Sequence, residues 1–189
     1  MSLKWRPYNM LFENIFSVDQ CEQITNKIKL MWSNGLLHKE EPPYYKNSLG
    51  SYNLPEALEH LLQVENVVRE KYPNIEFENA YTRVYRNGSV LDIHTDRKGL
   101  DITLGVCVFS NIQTKWPLSI SNLSLVEGNE WNKNIQHTEL FKSDKEDFFT
   151  PVGTGLLTEG GKYPHWRDSL DCQPDEFAIY TFYHWRLED

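Results

Sequence analysis

The residues of this chain best suited to chemistry are a His94-Thr95-Asp96 triplet and, far downstream, His165. Along an extended strand, residues i and i+2 point to one face, so His94 and Asp96 converge on a single point while Thr95 turns away. Two imidazoles and one carboxylate make the facial set that holds Fe(II) and leaves three coordination positions open. Catalytic zinc accepts the same donors, so the triplet by itself leaves the metal undecided. His165 follows Gly160-Gly161 and precedes a run with strand character. The other histidines are weaker candidates. His38 and His60 fall in the helical part, His137 in a polar stretch, and His184 between Tyr183 and Trp185, where packing is the expected role.

The rest of the chain must position these groups. Its 189 residues suit one domain, and 40% hydrophobic with 13% aromatic residues marks a packed core rather than a disordered chain. A formal net charge of −8 argues against general nucleic-acid binding, because an acidic surface repels phosphate. No run is long and apolar enough for a membrane span, and residues 1–10 hold Lys4, Trp5 and Arg6 but no apolar signal core. The expectation is a cytoplasmic protein without a membrane partner. Cys21, Cys107 and Cys172 are far apart and odd in number, which reads as three reduced, packed thiols.

Residues 1–74 read as a helical support region. Ser17 and Asp19 cap a segment with Val18, Cys21, Ile24, Ile28 and Met31 at helical spacing, stopped by Gly35. Residues 40–53 look irregular, and Tyr44, Tyr45 and Lys46 there form a candidate lid. A second helix opens at Pro55, carries Leu58, Leu61, Leu62, Val64, Val67 and Val68, and ends at Pro73. From Ile75 the pattern turns to strands: a first run through Tyr85, an Asn87-Gly88 turn, and Val90–His94 as the return strand. Further strands are expected over residues 102–109, 116–123, 155–158 and 177–185. Residues 125–150 read as a polar surface excursion. Helices followed by antiparallel strands predict an α+β fold, mainly β, with helices on one side of a jelly roll spanning residues 75–189.

The run Tyr85-Arg86-Asn87-Gly88-Ser89-Val90-Leu91-Asp92-Ile93-His94-Thr95-Asp96 resembles the Tyr-x-x-Gly-x-x-Leu-x-x-His-x-Asp motif of the prolyl 4-hydroxylase-like oxygenases. The similarity continues at Asp101 to Leu104, Pro151 to Thr158 and Pro164-His165-Trp166-Arg167. It implies a double-stranded β-helix with His94, Asp96 and His165 as metal ligands. The co-reactants implied are Fe(II), 2-oxoglutarate and O₂, with ascorbate as an accessory reductant. The implied reaction is hydroxylation of an unactivated C–H bond, with a prolyl or other side chain of a protein or peptide as the family's target.

Two positions depart from that family. Pro174 and Asp175 stand where its members carry the basic residue that binds the far carboxylate of 2-oxoglutarate. Either the distal ligand is another residue, or the carboxylate partner comes from elsewhere. Arg167 is the first choice, since it shares a face with His165 and its planar fork suits a carboxylate. Arg83 is the second, and Tyr85 matches a family tyrosine beside the co-substrate. Trp116-Pro117-Leu118 replaces a Gly-Gly-Glu-Thr stretch, which loosens the link to proline. Two further readings stay open: the same chemistry on a free amino acid or small metabolite, and a catalytically inactive jelly-roll module.

Overall fold

The computed structural model describes residues 9–39, 45–125 and 138–188. Among them the strands form two facing sheets. Strands β1 (Met10–Phe12), β2 (His38–Lys39), β4 (Leu49–Tyr52), β5 (Ile75–Arg86), β7 (Ile102–Ser110), β10 (Gly155–Thr158) and β12 (Phe177–Leu187) make the larger, in the order β1-β10-β7-β12-β5-β4-β2. Strands β3 (Tyr45–Lys46), β6 (Val90–His94), β8 (Leu118–Ser121), β9 (Lys145–Phe148) and β11 (His165–Arg167) make the smaller, in the order β3-β6-β11-β8-β9. All pairings are antiparallel. This is the jelly roll with flanking helices that the strand pattern predicts.

Helix α1 (Val18–Ser33) starts on a capping box: the Gln20 amide donates to Ser17 Oγ and the Ser17 amide donates to Gln20 Oε1. It buries Cys21, Ile24, Thr25 and Ile28, and Gly35 at φ 66° ends the segment. The second helical stretch divides into α2 (Pro55–Leu58) and α3 (Leu61–Arg69). His60 interrupts it at φ −100°, ψ 5°, with its ring on Phe16 at 5.3 Å and its Nδ1 on Gln20. Tertiary contacts thus override a continuous apolar pattern. No described helix is long and apolar enough to cross a membrane.

Helices and cavity use opposite faces of the large sheet. From β5 and β12, Ala80, Val84, Ile179, Tyr183 and Trp185 join Ile24, Ile28, Val64 and Val68 in one core. The intervening residues Tyr81, Arg83, Tyr85, Tyr180, Phe182 and His184 face the space between the sheets. The period-two alternation of a strand performs this separation.

Three expectations change. Asn87-Gly88 does not close a hairpin, because β5 and β6 lie in different sheets. The Gly88 and Leu170 amides donate to Leu170 and Ser89 carbonyls, at 2.8 Å each, and Asn47 Nδ2 donates to the Asn87 carbonyl; these bonds turn the corner between sheets. Residues 49–52, read as irregular, form β4 against β5. Within the polar excursion, α4 (Thr138–Ser143) and β9 are ordered elements, and Phe148 is buried beside Ile120.

Ile28 is fully buried between α1 and the large sheet. Ile28→Ala should cost about 2–5 kcal/mol of unfolding free energy, read as a lower urea midpoint.

Candidate active site

Strand β6 ends at His94, and β11 begins at His165 directly opposite it. Opposed residues of an antiparallel pair share one face at short range. The two rings accordingly lie 4.4 Å apart between centroids. A bulge follows His165, so that Arg167 pairs with Leu91.

Asp96 arrives by another route. It lies past the end of β6, where its amide donates to the Gly160 carbonyl at 2.8 Å. Convergence of His94 and Asp96 therefore comes from a loop pinned to the Gly160-Gly161 turn, not from strand alternation. A methyl group on Gly160 would run into Asp96 Oδ2, so the close approach requires glycine. The outcome is that one ligand atom from each of His94, Asp96 and His165 lies within 4.8 Å of the others. His94 Nε2 and His165 Nε2 stand 3.8 and 3.6 Å from Asp96 Oδ1.

Each of the three is oriented from behind. His94 Nδ1 donates to the Asp92 carbonyl at 2.8 Å and His165 Nδ1 to the Tyr163 carbonyl at 3.0 Å. A carbonyl only accepts, so both Nε2 atoms keep a lone pair facing the cluster. Thr103 Oγ1 donates to Asp96 Oδ2 at 2.8 Å, which leaves Oδ1 for the centre. Burial, and next the neighbouring His165, push the His94 imidazole down to about 3. Burial opposes ionisation of Asp96, but His165, His184, His94 and the Thr103 hydroxyl outweigh it and hold the carboxyl below its usual range. A neutral His94 imidazole and an ionised Asp96 carboxylate are the protonation states a divalent cation needs.

The cluster opens into a cavity of about 200 Å³ between the sheets. Among its described lining residues, Asp96 is the one carboxylate, against Arg83, Arg97 and Arg167. Arg167 is buried, and its guanidinium carbon lies 4.6 Å from the ring centroids of both Trp116 and Tyr180. Its Nη1 donates to the Trp116 carbonyl at 2.9 Å, while Nε has no partner among the described residues. Arg83 is also buried, 4.0 Å above the Tyr45 ring, and its Nη1 donates to the Tyr85 hydroxyl at 3.1 Å. Tyr85 lies beside Trp116 at 4.9 Å and Tyr180 at 5.9 Å. All three residues expected at the co-substrate therefore share the cavity with the cluster. Burial raises the Tyr180 phenol to about 12 and the Cys107 thiol next to it to about 11, so both stay neutral.

Other expectations sort by strand face. Trp166 and Tyr183, which the sequence sets beside His165 and His184, lie outside the cavity lining, and Tyr183 donates to the Ala57 carbonyl on the helix side. The three cysteines are free and buried. Tyr45 lines the cavity from β3, whereas Tyr44 and His137 lie outside the described residues. Two residues that sequence reasoning did not select also line the cavity: Arg97, and His184, which burial lowers to about 4. The signal for His184 was available. With Tyr183 and Trp185 on the helix side, alternation sends His184 to the other.

This fold is that of the jelly-roll 2-oxoglutarate oxygenases. A prolyl-4-hydroxylase of Pseudomonas putida superposes with a TM-score of 0.67 at 12% identity, covering 97% of this chain and 94% of that one. HygX of Streptomyces hygroscopicus, solved with nickel and 2-oxoglutarate bound, gives 0.69 at 14% identity over 96% and 84%. A viral collagen prolyl hydroxylase of Paramecium Bursaria Chlorella virus-1, a 2-oxoglutarate complex, gives 0.60 at 15% over 96% and 97%. No family model matches the sequence, and no curated protein does. At these identities the likeness is one of fold.

Two outcomes follow from the site geometry. His94 and His184 stay neutral in the folded protein well below about 6.5, where unfolded histidine takes a proton. Stability of the metal-free protein is therefore complete above about pH 6.5 and falls as the pH drops towards 4, with protonation of Asp96 adding to the loss at lower pH. Urea midpoints measured across that window should decline, and a flat profile would contradict the assignment. Gly160→Ala displaces Asp96 and should weaken divalent-metal binding, measured by calorimetry, by roughly tenfold to a hundredfold.

Proposed function

We propose that this chain is a non-haem Fe(II)- and 2-oxoglutarate-dependent dioxygenase that hydroxylates an unactivated C–H bond. The observation that carries the reading is the largely buried His94, Asp96, His165 cluster, which opens on the same cavity as the buried Arg167. The donor set fits the metal: two imidazole nitrogens held by carbonyls from behind and one free carboxylate oxygen form a facial set. The cavity fits the co-substrate, because a dianion needs a buried cation away from the metal and Arg167 has no carboxylate partner among the described residues. When bound, the pair supplies oxidative decarboxylation of 2-oxoglutarate to succinate and CO₂, coupled to transfer of one oxygen atom of O₂ to the substrate.

The protein's own contribution is placement. His94, Asp96 and His165 hold the cation on one side and leave the cavity side open. Arg167 pairs with the far carboxylate of the keto acid through its planar fork, and the Tyr85 hydroxyl supplies a further hydrogen bond. Arg83 is the second candidate for this role and meanwhile orients Tyr85 through Nη1. Tyr180 and Phe182 keep water from the reacting centre. Tyr45 covers Arg83 from the smaller sheet, which accords with a lid over the site.

The family resemblance favours a prolyl or other peptide side chain as substrate. The small volume of the cavity and its excess of arginine favour the second reading, a small metabolite.

Anaerobic titration with Fe(II) and then 2-oxoglutarate should give the visible metal-to-ligand charge-transfer band, and His94→Ala should abolish it. Bound Fe(II) without a band would remove 2-oxoglutarate from the proposal. In the same assay Arg167→Met should raise the 2-oxoglutarate Kd by roughly thirtyfold or more, the effect of leaving a charge unpaired, and Arg83→Met by less. The reverse order would transfer the carboxylate to Arg83.

A further inference from the structure

His184 stands apart from the metal cluster yet shares its cavity. It is the third of the inward-facing residues on β12, after Tyr180 and Phe182, and only 9% exposed. Its Nδ1 lies 3.0 Å from Asn79 Oδ1 on the neighbouring β5. An amide oxygen accepts, so Nδ1 carries the hydrogen and Nε2 keeps a lone pair. The hydrogen bond of His184 to the described residues is this one, through Nδ1. Nε2 lies outside the group of atoms close enough to hold one ion. The imidazole is therefore neither a metal ligand nor a fully satisfied packing residue. It is an acceptor fixed in position beside the site, on a largely buried side chain.

Arg97 adjoins it. Arg97 lines the same cavity, next in sequence to Asp96, and its charge lowers the His184 imidazole further. Its hydrogen bond among the described residues runs from Nη1 to the Lys98 carbonyl at 3.1 Å, and no carboxylate pairs with it there. Asp96 is the one carboxylate among the cavity's described lining residues, and the metal claims it. The far carboxylate of the co-substrate takes one arginine deep in the cavity, which leaves Arg97, at the exposed end, for another anion. A cation and a hydrogen-bond acceptor thus flank the centre where a C–H bond would react.

We infer that His184 and Arg97 form the primary-substrate subsite, and that the substrate is a short carboxylic acid with an amine or hydroxyl beside its carboxylate. The carboxylate pairs with Arg97 and the N–H or O–H donates to His184 Nε2. Asn79 acts as a positioning residue by holding the imidazole in its acceptor tautomer. The inference rests on the oxygenase reading and names the substrate class for that same site.

The test uses protein loaded with Ni(II), which does not turn over, and 2-oxoglutarate. A rise in Tm on adding 2-oxoglutarate first establishes the co-substrate site; its absence sinks the oxygenase reading itself. Free L-α-amino acids and L-α-hydroxy acids are then added singly, with the corresponding unsubstituted acids, the methyl esters and a proline-containing peptide as controls. At least one amino or hydroxy acid should raise Tm further, whereas its unsubstituted acid and its ester should not. The two arms, amine and hydroxyl, identify which donor the site takes. In His184→Phe and Arg97→Met, which should keep the shift with 2-oxoglutarate, affinity for that acid should fall by roughly tenfold, the effect of one lost hydrogen bond or ion pair. The inference is overturned if no acid shifts a protein that binds 2-oxoglutarate, if only the peptide does, or if both variants bind the acid as well as the native protein.

Discussion

The site depends on one antiparallel pairing, that of β6 with β11. It sets His94 opposite His165, although the sequence separates them widely, and cross-strand neighbours need no further device to bring two rings to 4.4 Å. The bulge after His165 then re-aims the strand so that Arg167 falls opposite Leu91, deeper in the cavity. Asp96 joins through the bond of its amide to Gly160, in the turn that leads to β11. All three donors are thus tied to one short piece of the smaller sheet. β3 and β8 flank that piece, and the aromatic wall of the larger sheet stands across from it.

Charge is arranged against the average of the molecule. The chain carries a net charge of −8, yet the described residues lining its cavity include three arginines and one carboxylate. Aromatic faces lie against two of those guanidiniums, Arg83 on Tyr45 and Arg167 on Trp116 and Tyr180. A weakly hydrated guanidinium tolerates such surroundings better than an ammonium does. A cavity with this lining between two sheets draws anions, because a dielectric lower than that of bulk water amplifies each charge. Neutral His94 and His184 keep the cationic count from rising further near neutral pH.

The two faces of β5 and β12 divide the labour between stability and chemistry. One face supplies Val84, Ile179, Tyr183 and Trp185 to the core under α1, α2 and α3. The other supplies Arg83, Tyr85, Tyr180, Phe182 and His184 to the cavity. The helices thereby back the sheet from which the cavity wall projects, and substitutions on the two faces have separable effects.

Local pattern determined much of this by itself. The Ser17 cap, the helical spacing from Cys21 to Ile28 and the alternating runs of β5, β7, β10 and β12 are short-range signals, legible because the 3.6- and 2-residue periods are intrinsic to the backbone. The donor types of the cluster were legible for the same kind of reason: few residue types bind metals, and histidine and aspartate are among them. What the tertiary structure decided is where strands go and which residues they face. A turn dipeptide encodes a reversal but not the sheet that receives the next strand, so Asn87-Gly88 resembled a hairpin and proved to be a corner held by Leu170 and Asn47. Register across β6 and β11, the anchoring of Asp96 on Gly160, and the gathering of Arg83, Arg97, Arg167 and His184 around one cavity all rest on contacts between distant segments. No local period carries that information, because each contact exists only once both sheets have closed on each other.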